Sequence, residues 1–227
     1  GLGRLHIQRR VHTQVTTITS ALRSTAERAA DLEQVRSYVA RDTASKACKG
    51  QVVIEAQATP MQRELTMLDP DTGADRTLKV DWNSSLALRP VKSRPRPCGY
   101  WLAAHATAAV ERLQMLGVQV LRIAEPGALL ADTYHETARE TTERTDVPGT
   151  IAGGSSIIRT QVTPVRSAID VPAGSFYVPL NQGLAHLAVA ALEPDTQSSY
   201  FANRLIDELG STARVMTVPS LVFEESD

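Results

Sequence analysis

Apolar residues recur at steps of three and four along residues 5–47, which is the spacing of one helical face. They are Val11, Val15, Ile18, Leu22, Ala29, Leu32, Val35 and Val39. Charged residues lie between them, and neither Pro nor Gly interrupts the segment before Gly50. The pattern predicts one long helix or two stacked helices. We expect the stripe to pack against neighbouring structure, with a coiled coil as the alternative.

After Gly50 the apolar period changes to two, which is typical of strands. The predicted strands are residues 52–56, 63–68 and 76–82. Turns are expected at 59–60 and 69–73, because both contain Pro and the second also contains Asp and Gly. Together they predict a β-meander with a hairpin at its centre. Residues 90–97 (PVKSRPRP) are basic and rich in proline, so we expect a stiff linker or a sheet-edge segment there.

The rest of the chain alternates short strands with short helices. Strands are expected at 99–102, 118–123, 131–144, 157–165 and 175–178, and helices at 107–116, 184–192 and 198–209. A turn is expected at 171–174, a loop at 146–156, and a fraying tail with one strand at 215–223. The fold class is therefore α+β: a long N-terminal helix followed by a mixed, mostly antiparallel β-sheet domain with a few short helices. The expected division is 1–49, 50–97 and 98–227.

Composition excludes some classes of partner. The chain has 227 residues, a net charge of −1 and 4% aromatic residues. A neutral chain with few aromatics has neither the charge nor the stacking surface for nucleic acid, so no nucleic-acid partner is expected. No apolar run approaches the length that spans a bilayer, so no membrane span is expected. Cys48 and Cys98 are far apart and form no CxxC motif; we expect two free thiols, with a disulfide as the alternative.

Residue spacing supports no catalytic or metal site in the chain. The five histidines are His6, His12, His105, His135 and His186, and none begins a His-x-x-Glu or His-Glu-x-x-His motif. The adjacent His135 and Glu136 point to opposite faces of a strand, and His186 is expected to be a partly buried structural histidine.

Other local patterns also lack the required spacing. Ser175 lacks the second glycine of a nucleophile elbow, and the Gly-Gly-Ser-Ser of 153–156 lacks the lysine of a phosphate loop. Asp69, Asp71 and Asp75 fit a hairpin turn better than a calcium loop. No catalytic or metal-binding residue is therefore assigned, and the substrate-binding residues are unknown.

Three phrases carry a family resemblance. Residues 94–102 (RPRPCGYWL), 108–123 (AAVERLQMLGVQVLRI) and 171–207 (VPAGSFYVPLNQGLAHLAVAALEPDTQSSYFANRLID) resemble the region after the catalytic module in bacterial zinc carboxypeptidases of the carboxypeptidase A-like metallopeptidase family. One departure is Gly183, which stands where the family often has proline. The opening GLGRLHIQRRVHTQV also resembles the sequence just downstream of the catalytic glutamate in these enzymes.

The resemblance implies zinc-assisted peptide hydrolysis in the parent protein. In that family a His-x-x-Glu and a distant His hold zinc, a Glu acts as base and an Arg binds the substrate carboxylate. All these residues would precede Gly1, so the chain alone is expected to be an inactive C-terminal accessory fragment. Its expected partners are its own catalytic domain and, through the N-terminal helix, a second copy. A periplasmic or secreted location is compatible with the family. The alternative is a stand-alone module that binds peptide or cell-wall material without catalysis.

Overall fold

The computed structural model describes residues 4–69, 71–143, 156–196 and 198–225, and it confirms the α+β class. The helices are α1 (Arg4–Glu27), α2 (Ala29–Ser45), α3 (Thr107–Met115) and α4 (Ala185–Leu192). The strands are β1 (Gln51–Leu68), β2 (Asp75–Pro95), β3 (Gly99–Leu102), β4 (Leu121–Arg122), β5 (Gly127–Glu143), β6 (Ser156–Val171), β7 (Phe176–Pro179) and β8 (Thr212–Val215). A 3-10 turn, Leu209–Ser211, precedes β8. The division at 49 and 97 stays a prediction.

The N-terminal segment forms two consecutive helices that meet at Arg28. The Arg28 N–H bonds to the Ser24 carbonyl at 3.2 Å, and the Leu32 N–H bonds to the Arg28 carbonyl at 3.0 Å. The backbone hydrogen bonding therefore continues across the junction, and the two helices follow one another end to end. The described side chains of α1 are all exposed, and Thr43 near the end of α2 is the first that is buried.

The predicted β-meander is wrong, because residues 51–95 form a single long antiparallel hairpin. No turn occurs at 59–60. Instead the register shifts between Ala58, which pairs with Leu88, and Thr59, which pairs with Ser84. Extra residues on β2 absorb the irregularity. A two-stranded ribbon has free outer edges, so Pro60 can occupy a strand position without leaving a ladder bond unmade.

Of the two alternatives expected at 90–97, the structure shows a sheet-edge segment as far as Pro95 and not a linker. β2 continues through this segment and pairs with β1 as far as the partners Pro95 and Gln51. Its prolines are tolerated because no third strand pairs with β2. Arg94 is buried in the body of the protein, so the segment joins the hairpin to the core.

The second sheet has the strand order β4-β7-β3-β8-β5-β6, and each of its ladders is antiparallel. The predicted β–α–β unit is present as β3–α3–β4. Since β7 lies between β3 and β4 and is antiparallel to both, these two strands run parallel to each other. The strand expected at 131–144 is β5, which pairs with β6 along nearly its whole length.

Alternation along the strands gives this sheet two apolar faces. One face carries Tyr100, Leu102 and Val178, and α3 and α4 pack on it. Val52 and Ile54 from the base of the hairpin join the same cluster. The opposite face carries its own cluster, formed by Trp101, Ile123, Ala131, Val171, Tyr177, Ala213 and Val215 and covered by the C-terminal tail.

Two expectations near the C-terminus need correction. The described part of 198–209 forms turns rather than a helix: the Ser199 Oγ accepts the N–H of Phe201 at 3.1 Å, which competes with helical bonding. The tail does not fray throughout, because Phe223 bridges to Ile123 and the Glu224 N–H donates to the Arg122 carbonyl at 2.9 Å. The loop expected at 146–156 lies outside the described residues, except Ser156, which begins β6.

Candidate functional site

The largest concentration of charge inside the protein surrounds Glu193, just after α4. Its side chain is fully buried. Its Oε1 accepts hydrogen bonds from the Tyr100 hydroxyl and the Arg214 Nε, both at 2.8 Å, and its Oε2 accepts one from the Arg94 Nη1 at 2.6 Å. Strand pairing explains the arrangement: Tyr100 and Arg214 are register partners on β3 and β8 and therefore face the same side of the sheet.

Asp195 binds the end of the hairpin to this centre. Its two carboxylate oxygens accept from the Arg94 Nη1 at 2.8 Å and the Arg94 Nη2 at 2.7 Å, a bidentate pairing. The Lys92 ammonium also contacts this carboxylate. Arg94 further donates to the Val162 carbonyl of β6 at 2.7 Å. The base of the hairpin is thus held to both α4 and the edge strand of the second sheet.

Asp132 on β5 adds a third carboxylate to this group of charges, next to Arg214. Its Oδ2 lies 3.5 Å from the Arg214 Nη1, and its Oδ1 accepts from the Arg166 Nε at 2.6 Å. Arg214 also donates to the Pro95 carbonyl. We refer to Arg94, Tyr100, Asp132, Glu193, Asp195 and Arg214 as the ionic network.

Burial and ion pairing shift the pKa values of the two buried arginines in opposite directions. Burial lowers the pKa of Arg94, but its hydrogen bond to Asp195 and the charges of Glu193 and Asp195 outweigh that, so the pKa is raised. Arg214 behaves in the same way, with Glu193 as the main opposing charge. Burial, followed by the charge of Glu193, raises the pKa of Tyr100 well above its usual range. The guanidinium groups therefore stay charged and the phenol stays neutral.

The ionic network connects elements of the core, and of its members Asp195 borders a cleft between β1 and β6. Glu193 and Asp195 have no exposed side-chain surface, and Arg214 is 1% exposed. Sequence reasoning missed it, because Glu193 was interpreted as the end of a helix and Arg94 as part of a linker. No local motif could have revealed it, since Glu193 lies 99 residues from Arg94 and 21 from Arg214 in the chain.

Ser175 has a packing role. It is fully buried, its Oγ accepts from the Trp101 Nε1 at 3.1 Å, and it donates to the Pro172 carbonyl at 2.6 Å. The turn predicted at 171–174 is confirmed, with Gly174 at φ +81°.

The histidines of the described chain do not converge. His135 is exposed on β5, while the adjacent Glu136 accepts from the Arg139 Nε at 2.6 Å. That hydrogen bond lowers the pKa of Glu136. His105 bonds through Nε2 to the Ser211 Oγ at 2.9 Å. The side chain of His6 lies outside the described residues.

His186 lies on the outer, exposed side of α4, with its ring partly shielded from solvent. Partial burial lowers its pKa, and the charges of Arg96 and Lys46 lower it further. The ring has no hydrogen-bond partner among the described residues.

The tip of the β1–β2 hairpin is a turn, as predicted. The Oδ1 of Asp69 accepts the N–H groups of Asp71 at 3.0 Å and Thr72 at 3.1 Å. These two bonds lower the pKa of Asp69. Gly73 follows at φ +70°, a conformation that glycine adopts without strain.

Across residues 4–69, 71–143, 156–196 and 198–225, no three His, Cys, Asp or Glu residues are grouped so that they could hold a metal ion. The side chains described here therefore do not fit the zinc that the family resemblance implies. No step of a zinc mechanism can be assigned to them.

The expectation of free thiols is wrong: Cys48 and Cys98 form a disulfide that closes a loop with a sequence separation of 50. The Cys48 N–H donates to the Pro97 carbonyl at 3.2 Å, so the end of α2 and the start of β3 meet in the fold. Their proximity depends on the hairpin returning to its base, which residue spacing could not show.

Two clefts adjoin this framework. One, of about 320 Å³, lies between β1 and β6 and is lined by Ile54, Thr160 and Asp195 among others. The other, of about 530 Å³, lies beside the disulfide. Among the helices that the structure describes, none is long and apolar enough to cross a membrane.

Comparison with known proteins relates the chain to part of a peptidase. It is 23% identical over 201 residues to Carboxypeptidase 2 of Trichophyton tonsurans, a match that covers 88% of this chain and 36% of that protein. The chain thus spans about a third of the length of this relative. The relative's source gives no support to the bacterial origin expected for the chain. No protein-family model matches the chain, and no solved structure matches it.

Proposed function

We propose that this chain is the non-catalytic C-terminal accessory part of a larger zinc carboxypeptidase, and that α1 packs against the peptidase part of that protein. The similarity to a portion of Carboxypeptidase 2 supports the class of parent protein. In this proposal the peptidase part supplies the zinc and the catalytic residues, and the present chain supplies a docking helix on a disulfide-closed support.

The observation that carries the proposal is the apolar stripe of α1, formed by Ile7, Val11, Val15, Ile18 and Leu22. These side chains are 55–66% exposed, and nothing within the described chain covers them. We infer that a surface outside the described residues covers the stripe.

The energy available from covering the stripe is substantial. Complete burial of an aliphatic side chain contributes roughly 1.5–3 kcal/mol. Since more than half of the surface of each of these five side chains is exposed, covering them would contribute on the order of 4–9 kcal/mol. That is enough to hold a helix against a neighbouring domain in one polypeptide, where no loss of translational freedom has to be offset.

The position of the disulfide fits this role. It joins the segment after α2 to the start of β3, so the base of the docking helix is held to the six-stranded sheet. Structural disulfides persist in oxidising compartments, which supports a periplasmic or secreted protein.

The test uses the complete product of the gene. One variant carries Val15→Asp and Ile18→Asp on the stripe. The matched control carries Thr16→Asp and Ser20→Asp, which add the same charges on the opposite, exposed side of the same helix. The stripe variant is expected to lower the unfolding midpoint and the rate of hydrolysis of a blocked dipeptide, while the control keeps wild-type values. Equal behaviour of the two variants would contradict docking through the stripe.

The isolated chain gives two further readouts. It is expected to release no amino acid from a peptide substrate in the presence of zinc, and turnover would contradict a non-catalytic role. Sedimentation velocity addresses the homodimer, the other partner expected for α1. A dimer that the stripe variant dissociates and the control does not would show that a second copy occupies the stripe, and would overturn the proposal.

A further inference from the structure

The pocket of about 530 Å³ lies where the α2–β1 connection, one edge of the six-stranded sheet and the C-terminal tail meet. The disulfide forms part of its wall, and Leu121 and Pro179 of the sheet and Val218 of the tail form other parts. Its volume falls within the range of small-molecule sites, which are mostly apolar clefts with a few polar groups.

The floor of the pocket is a pair of aromatic rings. Tyr177 and Phe223 stack with their ring centroids 5.8 Å apart. The Tyr177 side chain lies across Gly99 of the neighbouring strand, where a Cβ would fall 2.5 Å from two ring carbons and the hydroxyl oxygen. A glycine at position 99 therefore allows the ring to lie flat and keeps the space above it open. The result is a preformed apolar surface suited to a ring or a branched chain.

The polar groups of the pocket favour an anion. Lys49 is the cation of the lining, and no Asp or Glu lines the pocket. The described residues provide no carboxylate partner for Lys49, whereas the nearby Lys46 pairs with Asp42 at 2.5 Å.

The Tyr177 hydroxyl is a second polar group without a partner among the described residues. The hydroxyl oxygen is not completely buried, so a ligand can reach it. Burial of the ring raises the pKa of Tyr177 to about 12, so the hydroxyl stays protonated and can donate. Asn181 adds an exposed amide at the rim.

We propose that this pocket binds a small apolar molecule that carries one anionic group, with the apolar part on the Tyr177–Phe223 floor and the anion at Lys49. The site is separate from the α1 stripe, and its occupation does not depend on the peptidase role proposed above. The lining explains both halves of the ligand: apolar and aromatic surfaces remove the ring from water, and an unpaired cation in a pocket without carboxylates attracts the anion.

The test is isothermal titration of the oxidised chain with two probes of the same shape, naphthalene-2-sulfonate and its uncharged analogue naphthalene-2-sulfonamide. The sulfonate is expected to bind at one site and about 2- to 5-fold more tightly than the sulfonamide, the range for an exposed charge pair. Lys49→Gln should remove that preference. Lys46→Gln, the matched control, removes a lysine that is already paired outside the lining and should keep it.

A second variant tests the apolar half of the site. Gly99→Ala places a methyl group against the Tyr177 ring and should weaken both probes together. If that variant does not fold, Tyr177→Phe keeps the ring but removes the donor, and should weaken the sulfonate.

Three results would overturn the proposal. They are the absence of saturable binding of the sulfonate, equal affinity of the wild-type chain for the two probes, and an equal loss of preference in the Lys46 and Lys49 variants.

Discussion

Replacing Glu193 by glutamine should destabilise the protein more than any change of a surface carboxylate. The substitution keeps the size and one acceptor oxygen of the side chain but removes its negative charge. Among the described residues, Arg214, which is 1% exposed, then retains Asp132 at 3.5 Å as its one charged partner. Arg94 keeps its bidentate pairing with Asp195. The loss of stability therefore comes mainly from the uncompensated charge of Arg214.

The magnitude follows from this geometry. Removing one partner of a buried ion pair typically costs 3–5 kcal/mol, because the remaining charge is buried without compensation. Asp132 compensates part of the Arg214 charge, so we expect about 3 kcal/mol for Glu193→Gln. Combining Glu193→Leu with Arg214→Met removes both charges, and the double variant should cost less than the sum of the two single changes.

Urea unfolding, followed through the fluorescence of the buried Trp101 and through circular dichroism, measures the loss. With a slope near 3 kcal/mol per M, a 3 kcal/mol loss lowers the midpoint by about 1 M. The control is Glu33→Gln, which breaks the exposed contact with Arg36 and should leave the midpoint unchanged. A loss below about 1 kcal/mol for Glu193→Gln, or equal shifts for the two variants, would refute the compensating role of Glu193.

Three other changes have defined outcomes. Burial raises the pKa of Tyr177 from its usual 10 to about 12, so the stability that the neutral phenol contributes is complete below pH 10 and is lost between pH 10 and 12. Tyr177→Phe should therefore flatten that part of the curve of unfolding free energy against pH. An unchanged curve would contradict the burial of the phenol. Replacing both Cys48 and Cys98 by alanine should lower the free energy of unfolding by about 4 kcal/mol, the loss of chain entropy expected for a loop of this length, and urea unfolding measures it. Alkylation of the unreduced, unfolded wild-type chain should label neither cysteine. Labelling would show that no disulfide forms. Gly183→Ala places a Cβ 2.9 Å from the Cβ of Ala40 on α2 and should lower the urea midpoint. Gly210→Ala, where nothing lies within 4 Å of the new Cβ, should leave the midpoint unchanged. Equal midpoints for the two variants would mean that α2 does not pack against Gly183.

Local signals in the sequence were sufficient for the short elements. The apolar spacing and the flanking Gly117 predicted α3, and the residues after 170 predicted the turn, β7 and α4 in the observed order. Each depends on residues a few positions apart, where backbone preferences and helical spacing decide the structure.

Long-range pairing was beyond those signals. The proline at position 60 suggested a turn, but in a two-stranded ribbon with free edges it breaks nothing. The basic segment at 90–97 resembled a linker, yet Arg94 is buried because Glu193 and Asp195 compensate its charge. Apolar spacing favoured a helix at 198–209, and local hydrogen bonding by Ser199 competes with it.

The candidate sites show the same difference between local sequence signals and long-range contacts. Spacing rules gave no reason to assign chemistry to Ser175 or to the pair His135 and Glu136. In the structure Ser175 bonds to Trp101, and Glu136 bonds to Arg139. The pocket beside the disulfide has no sequence signature. It is assembled from the end of α2, the α2–β1 connection, strands β4 and β7 and the tail. Its cation, Lys49, is one lysine among several in the sequence.

Amide hydrogen exchange in α1 tests the proposed accessory role most directly. Residues 7–22 would be followed in the isolated chain and in the complete gene product. If the stripe packs on a peptidase part, the complete product should exchange these amides at least tenfold more slowly than the isolated chain, since each 1.4 kcal/mol of covering energy slows opening about tenfold. Equal exchange rates in the two forms, or a gene product no longer than this chain, would contradict the account.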